Sequence, residues 1–212
     1  MAAGYEHAFN EALSRTDGLG LPVPQVPFSS SRFLSDAVLY AMGHNIRQWF
    51  PNMRAEDLVG QCLTVHANLR NKVEELLKVS AYLNIGDVSI SGERAFGVDD
   101  AYLDHLWHNK ITPKEVVKLH AWLTLPSMEI IDVTLAATFL ALSGKPLERH
   151  GNFVAAGAIA SHADELKDGL VYHPCLVGHD YLQKIGALAY INPDEAEIDN
   201  WLERTADTEG WE

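Results

Sequence analysis

Residues 118–135 read KLHAWLTLPSMEIIDVTL, and the interpretation of the whole chain starts from this stretch. Two β-type runs, 118–125 and 129–135, are separated by the tripeptide Pro-Ser-Met at 126–128. Short runs of β-branched, aromatic and aliphatic residues on either side of a proline-containing break are typical of an antiparallel hairpin. The stretch therefore predicts two neighbouring strands joined by a three-residue loop.

The length of that loop decides whether His120 and Asp132 can meet. Side chains alternate between the two faces of a strand, so the two residues share a face only if paired residue numbers have an even sum. A three-residue loop pairs Leu125 with Glu129, which satisfies this condition. His120 then stands opposite Thr134 and diagonal to Asp132, a separation that these side chains can bridge. A two-residue loop would place them on opposite faces.

A third chemically distinctive residue, Cys62, stands at the start of the most regular helical segment, 62–80, directly after the Gly60-Gln61 turn. The N-terminus of a helix carries partial positive charge and free N–H groups, which favour a thiolate and can later hold an oxyanion. A histidine within reach of the thiol takes its proton, and a carboxylate on the other ring nitrogen orients that histidine. Cys62, His120 and Asp132 are thus a candidate catalytic triad.

A cysteine at a helix start, a His-Ala-Trp run on one strand and an Ile-Asp-Val-Thr run on the next resemble the transglutaminase-like branch of the papain-like cysteine hydrolases and acyltransferases. The resemblance covers about residues 55–140. It implies an α+β, papain-like fold in which a cysteine-bearing helix packs on a small antiparallel sheet. It also implies that Cys62 is the nucleophile, His120 the base and Asp132 the residue that orients the imidazole.

Further residues are candidates for the wall of such a site. Trp122 shares a strand face with His120, so we expect it to be either a core residue or part of the pocket wall, where it would shield the imidazole from water. Gln61, Gln48 and Trp49 are candidate donors to an oxyanion, and the sequence does not choose among them. The expected reaction is attack of the thiolate on an amide, ester or thioester, followed by transfer of the acyl group to water or to an amine.

Composition bounds the partners of the protein. The 212 residues carry a net charge of −13 at pH 7, which disfavours a nucleic-acid or anionic-membrane surface and suits a neutral or basic peptide or small-molecule substrate. No apolar run is long enough for a membrane span, and two cysteines with no secretory signal indicate a reducing, cytoplasmic setting. We expect no cofactor and no metal, and the oligomeric state stays open.

The chain reads as a single domain, 1–212, with an N-terminal arm and extended connector over 1–31 and a papain-like body over 32–205. Ser30 or Ser31 is expected to cap the second helix. The predicted helices are 5–16, a segment from that cap to about 49, 62–80, 100–108, a turn or two after 112, and 193–204. The segments 136–143 and 153–161 are Ala-rich and are expected to be either helical or irregular small-residue segments. The predicted strands are 85–97, broken at its glycines, 118–125, 129–135 and 169–177.

Two other functions compete with the triad. Cysteine is among the residue types most often buried, so the same fold would serve as a binding or scaffold domain if Cys62 were an inert core residue. The ten histidines also admit a metal-dependent hydrolase. Its candidate ligands are Asp104, His105 and His108 on one helix, and His173, Cys175 and His179 near a later strand.

Overall fold

The structure is a computed structural model, which describes residues 4–50, 56–111, 117–142 and 157–187. In these residues helices and one antiparallel sheet combine into an α+β arrangement, as the sequence predicts. The helices are α1 (Tyr5–Gly18), α2 (Asp36–Trp49), α3 (Cys62–Leu77), α4 (Asp100–Asn109), α5 (Leu135–Leu142) and α6 (Asp180–Lys184). The strands are β1 (Tyr82–Ile90), β2 (Glu93–Arg94), β3 (His120–Thr124), β4 (Glu129–Asp132), β5 (Ile159–His162) and β6 (Leu170–Val177).

The sheet is organised around β1. Along one edge β1 pairs with β6 over most of its length, and along the other it pairs with β3 and, at its end, with the short β2. Beyond β3 the order continues through β4 to β5. All of these pairings are antiparallel. β3 is therefore flanked on both sides, and its first residue, His120, lies inside the sheet.

The predicted register of the central hairpin is confirmed. Leu123 pairs with Ile131, and the Leu125 N–H donates to the Glu129 carbonyl at 2.9 Å. The three-residue loop between them ends at Met128, whose φ of 62° lies in the left-handed region, as three-residue hairpin loops require. Even-numbered residues of the two strands consequently share one face, and this face carries both His120 and Asp132.

Helices cover both faces of the sheet. α1 buries a stripe at spacings of three and four against the face that carries Trp122. α3 packs on the opposite face, where Ala121 and Leu123 meet its apolar side. The stripe of α1 consists of Tyr5, Phe9, Ala12 and Thr16, and the buried residues of α3 are Cys62, Val65, His66, Leu69 and Val73. The two helices thus enclose the hairpin from both sides.

The predicted start of the second helix is wrong. α2 begins at Asp36, and Ser35, rather than Ser30 or Ser31, accepts the capping hydrogen bond from the Val38 N–H. The chain stays non-helical up to that point because the buried Glu129 carboxylate accepts hydrogen bonds from the backbone N–H groups of Phe33 and Leu34. A contact almost a hundred positions away in sequence therefore sets where this helix begins.

Two further expectations need correction. Gly86 does not break the strand predicted at 85–97, because it sits inside β1 where β6 approaches closely; the break comes at the turn of Ser91 and Gly92, both with positive φ. Ile159–His162 is a strand rather than the end of an Ala-rich helix, because it completes the sheet beside β4.

The turn after 112 and the helix at 193–204 lie outside the described residues. None of the described helices combines the length and apolar character needed to cross a membrane.

Candidate active site

Cys62 is the first residue of α3, as the sequence predicts. Gly60, with φ of 71°, turns the chain into the helix, and the side chain of Gln61 does not cap the first turn. The Cys62 Sγ donates to the carbonyl of Leu119 at 3.5 Å, so the sulfur lies beside the residue that precedes His120. Cys62 is 6% exposed. The start of α3 thus meets the end of the sheet where β3 begins.

His120 and Asp132 make the contact that the hairpin register predicts. The Nε2 of His120 and the Oδ2 of Asp132 lie 2.6 Å apart, and both residues are buried. The carboxylate thus engages Nε2 and leaves Nδ1 as the other ring nitrogen, while the Cys62 sulfur contacts the residue before His120. An imidazole between a thiol and a carboxylate is the order that nucleophilic catalysis by cysteine requires.

Asp132 is held by more than the histidine. Its Oδ1 accepts hydrogen bonds from the backbone N–H groups of Thr134 and Leu135, at 2.9 and 3.1 Å, and from the Thr134 hydroxyl at 3.2 Å. Its Oδ2 accepts one from the Tyr172 hydroxyl at 2.9 Å in addition to the His120 contact. These contacts fix the carboxylate at the turn where β4 ends and α5 begins. In the Asp-x-Thr pattern, the threonine therefore lies where its N–H and hydroxyl can both donate to the aspartate two residues earlier.

Aromatic rings enclose the imidazole of His120. The ring of Phe96 stacks on it with centroids 5.0 Å apart and planes inclined by 3°, and the indole of Trp122 stacks at 5.9 Å. Trp122 is fully buried, and its Nε1 donates to the hydroxyl of Tyr5 on α1 at 2.8 Å. Trp122 is therefore a core residue that packs against His120, and its N–H group is engaged by Tyr5.

The electrostatics of the site favour a charged imidazole. Burial acts to lower the pKa of His120, but the adjacent Asp132 carboxylate, together with the hydrogen bond and charge of Cys62, outweighs burial and raises this pKa to about 10. Burial acts to raise the pKa of Asp132, and the positive charge and hydrogen bond of His120 hold it well below its usual range. At neutral pH the pair is therefore an imidazolium and a carboxylate.

His66 is a further buried residue at the site. One turn after Cys62 on α3, its Nδ1 lies 2.8 Å from the Cys62 carbonyl oxygen, and its Nε2 accepts the Val133 N–H at 3.1 Å. Its Nε2 is also 3.4 Å from the Oδ1 of Asp132. Burial lowers the pKa of His66, the nearby carboxylate opposes this, and the charge on His120 adds to the lowering. His66 therefore differs from His120 in being neutral.

The candidate oxyanion donors occupy different surroundings. Gln61 is half-buried and precedes Cys62 directly, and Trp49 is half-buried against the hydrophobic cluster that includes Cys62. Gln48 is exposed on α2, where its Nε2 lies 3.0 Å from the Nε2 of His44. Gln61 and Trp49 thus remain candidates, whereas the Gln48 amide is engaged on the outer side of its helix.

The residues considered as metal ligands are engaged in other contacts. His105 and His108 are exposed on α4, where Asn109 donates to the His105 carbonyl and the Nδ1 of His108 meets the carbonyl of Asp104. The Nε2 of His173 lies 2.8 Å from the Ser89 hydroxyl. Within the described ranges, no three His, Cys, Asp or Glu residues are grouped as metal ligands.

The sequence did not single out His66 and Phe96. His66 carried a signal, since it lies four positions after Cys62 and so on the same face of the helix. Phe96 carried none, because this loop residue reaches His120 only through the folding of the sheet. The sequence leaves Tyr172 and His173 open as residues lining the cleft next to Cys62, and the contact of Tyr172 with Asp132 follows only from the fold.

No family model, curated protein or solved structure matches this chain.

Proposed function

We propose that the chain is a cysteine-dependent hydrolase or acyltransferase of the transglutaminase-like, papain-like type, with Cys62 as nucleophile. The observation that carries the proposal is the 2.6 Å contact between the Nε2 of His120 and Asp132, made on the ring whose remaining nitrogen is left for the Cys62 thiol. A charged imidazole and the N-terminus of a helix are the surroundings in which cysteines act as nucleophiles in proteins.

In the first half of the proposed reaction, the Cys62 thiolate attacks the carbonyl carbon of an amide, ester or thioester. A carbon–sulfur bond forms, and the carbonyl electrons move onto oxygen to give a tetrahedral oxyanion. As the oxyanion collapses, the bond to the leaving group breaks and His120 gives its Nδ1 proton to that group. The product is a thioester on Cys62 and a neutral imidazole, which Asp132 keeps oriented.

In the second half, water or an amine attacks the thioester while His120 takes a proton from it. Collapse of this intermediate releases an acid or a new amide and restores the imidazolium and the thiolate. The backbone N–H groups at the start of α3 are the donors proposed for both oxyanions, since Gln61 leaves the first turn without a side-chain cap. The net charge of −13 favours neutral or basic acyl acceptors over acidic ones.

The chain provides its own control for a test of nucleophile reactivity. Cys175 is 8% exposed, almost the same as the 6% of Cys62, and each thiol donates to a backbone carbonyl, that of His173 for Cys175 and that of Leu119 for Cys62. Burial raises the pKa of Cys175, and the charges of Arg15 and Arg94 oppose this only in part. A difference in alkylation rate between the two thiols therefore reports on their electrostatic surroundings rather than on access.

The experiment measures alkylation of the native protein by iodoacetamide at pH 7, with the two cysteine peptides quantified by mass spectrometry. We expect Cys62 to react at least about tenfold faster than Cys175, since thiolate content governs the rate. His120→Ala should remove most of this difference. An activated acyl ester should then acylate Cys62, and hydroxylamine should release the acyl group as a hydroxamate.

One observation favours a second function, that of a non-catalytic binding or scaffold domain. Cys62 belongs to the hydrophobic cluster between α3 and the sheet, which is where an inert core cysteine would lie. Equal, slow alkylation of Cys62 and Cys175, unchanged by His120→Ala, together with no acylation of Cys62, would favour this second function over catalysis.

A further inference from the structure

His66 connects the backbone next to the thiol with the backbone next to the acid. On one side its ring meets the carbonyl of Cys62 within α3, and on the other it accepts the N–H of Val133, the residue after Asp132. The side chain is fully buried. These two hydrogen bonds thus join the first turn of α3 to the end of β4 through a single imidazole.

The partners of the ring determine its protonation. A backbone carbonyl only accepts hydrogen bonds, so Nδ1 must carry a proton to bond to Cys62, and a backbone N–H only donates, so Nε2 must be unprotonated to bond to Val133. The geometry therefore specifies the neutral tautomer with its proton on Nδ1. A proton added at Nε2 would face the Val133 N–H, so the hydrogen bond to Val133 would be lost.

The connection matters because the thiol and the imidazole stand on different elements. Cys62 belongs to the helix, whereas His120 and Asp132 belong to the hairpin, and Cys62 reaches the hairpin directly through the 3.5 Å contact of its sulfur with Leu119. Sulfur is a weak hydrogen-bond donor and defines a position poorly. His66 supplies a second, stronger attachment at the same turn of α3.

We propose that neutral His66 is a positioning residue, which holds Cys62 in line with the His120–Asp132 pair and releases it when protonated in acid. This inference rests on the proposed function for its consequence in catalysis, but the positioning itself is measurable on the thiol alone. Loss of the connection lets the start of α3 move relative to the hairpin, and small displacements of a reacting group are costly, up to 10²-fold for about 1 Å.

Two charged groups act on His66 in the described part of the chain. Asp132 on β4, with Oδ1 3.4 Å from Nε2, favours protonation, whereas the charge on His120 of β3 disfavours it. The hydrogen bond of the ring to the backbone carbonyl of Cys62 also favours protonation. Burial is the largest influence and lowers the pKa of His66, so the switch to the charged ring is expected below its usual value of about 6.5.

Two substitutions separate the two hydrogen bonds. His66→Asn keeps a donor for the carbonyl four residues earlier, as Asn68 already does for Thr64 on the same helix, and loses the acceptor for Val133. His66→Gln places an amide oxygen where it can accept the Val133 N–H. His66→Leu removes both bonds. The matched control is His108→Asn, because the Nδ1 of His108 makes the same contact to the carbonyl of Asp104 on the exposed side of α4.

The first measurement is the rate of Cys62 alkylation by iodoacetamide between pH 5 and 8. We expect about a tenfold or greater loss in His66→Leu at pH 7.5, smaller losses in the Asn and Gln variants, and no change in the control. Wild-type protein should also lose rate reversibly in acid, beyond the loss in His66→Gln, whose side chain does not titrate. Superimposable pH profiles for wild type and His66→Gln would overturn the proposal.

The second measurement does not depend on reactivity. Long-range ¹H–¹⁵N spectra of the histidine side chains should give the Nδ1–H pattern for His66 at pH 7.5 in the wild type. An Nε2–H tautomer or a charged ring at this pH would overturn the proposal, even if His66→Leu failed to fold. A wild-type protein that shows the expected tautomer and profile but is never acylated by an activated ester contradicts the proposed function and leaves the role of His66 intact.

Discussion

Gly86 of β1 pairs directly with His120 of β3, and on its other side it faces Pro174 of β6 across an irregularity in the ladder. A Cβ at Gly86 would lie 2.2 Å from the carbonyl oxygen of His173 and 3.0 Å from the backbone nitrogen of Cys175. Only glycine therefore fits at position 86 of β1, the residue that pairs with His120, because the backbone of β6 leaves no room for a Cβ there.

Gly86→Ala is therefore expected to destabilise the protein by about 1–3 kcal/mol or more, because β6 must move away from β1. The free energy of unfolding in urea measures the effect. Gly18→Ala is the matched control, since a Cβ at Gly18 in α1 meets nothing within 4 Å and alanine is the better helix former. Equal stabilities for the two variants would contradict the close approach.

Asp132→Asn tests the carboxylate at the site. An amide keeps an oxygen for Thr134 and Leu135 but leaves the His120 imidazolium without its counter-charge, and removal of one partner of a buried ion pair typically costs about 3–5 kcal/mol. It also removes the group that orients the ring, so alkylation of Cys62 at pH 7 should slow by at least about tenfold.

The control for this change is Asp104→Asn, which removes the carboxylate next to His108 in an exposed pair on α4. Exposed ion pairs contribute about 0–1 kcal/mol, so stability and labelling should stay close to those of the wild type. Urea unfolding and mass spectrometry measure both quantities. A loss in Asp132→Asn no larger than in the control would contradict the buried pair.

Stability should depend on pH through His120. Its pKa in the folded protein is about 10, above the usual value of 6.5, so the folded state retains the proton to higher pH than the unfolded state. The stabilisation is complete below about pH 6.5 and is lost as pH rises through about 10. The free energy of unfolding should therefore fall between pH 7 and 10, by at most about 1.4 kcal/mol per pH unit for this one proton.

His120→Gln isolates this dependence from other groups that titrate in the same range. Its stability should change less steeply with pH than that of the wild type, and the difference between the two slopes is the contribution of His120. Parallel curves for the two proteins would mean that His120 is not held in its charged form.

Glu129→Gln tests the attachment of the segment before α2 to the hairpin. The carboxylate accepts the N–H groups of Phe33 and Leu34, at 2.7 and 3.0 Å, and the Ser127 hydroxyl. An amide nitrogen in place of one oxygen faces a donor, which leaves a buried polar group unsatisfied at a cost of about 1–3 kcal/mol. Urea unfolding measures the loss, and amide exchange at Phe33 and Leu34 should accelerate.

Glu165→Gln is the control for Glu129→Gln, because Glu165 pairs at the surface with Arg32, which lies in the same segment before α2. Its loss should stay below about 1 kcal/mol, without faster exchange at Phe33 or Leu34. If amide exchange at Phe33 and Leu34 were equally fast in both variants, Glu129 would not be what fixes the segment before α2.

The sequence by itself determined the central hairpin and its consequence for the site. Loop length and the alternation of side chains are local properties, and they place His120 and Asp132 on one face before any tertiary contact is known. The start of α3 at Cys62 and the extents of α1 and α4 follow from local periodicity and helix-terminating residues in the same way.

Tertiary structure alone decided what surrounds that pair. Cys62 reaches Leu119 across 57 positions, Tyr172 reaches Asp132 across 40, and Glu129 sets the start of α2 from a distant strand. The tautomer of His66 follows from two backbone groups that meet only in the folded chain. The local sequence pattern of each of these segments gives no sign of its distant partner. Only the packing of the helices and strands in the folded chain therefore determines these contacts.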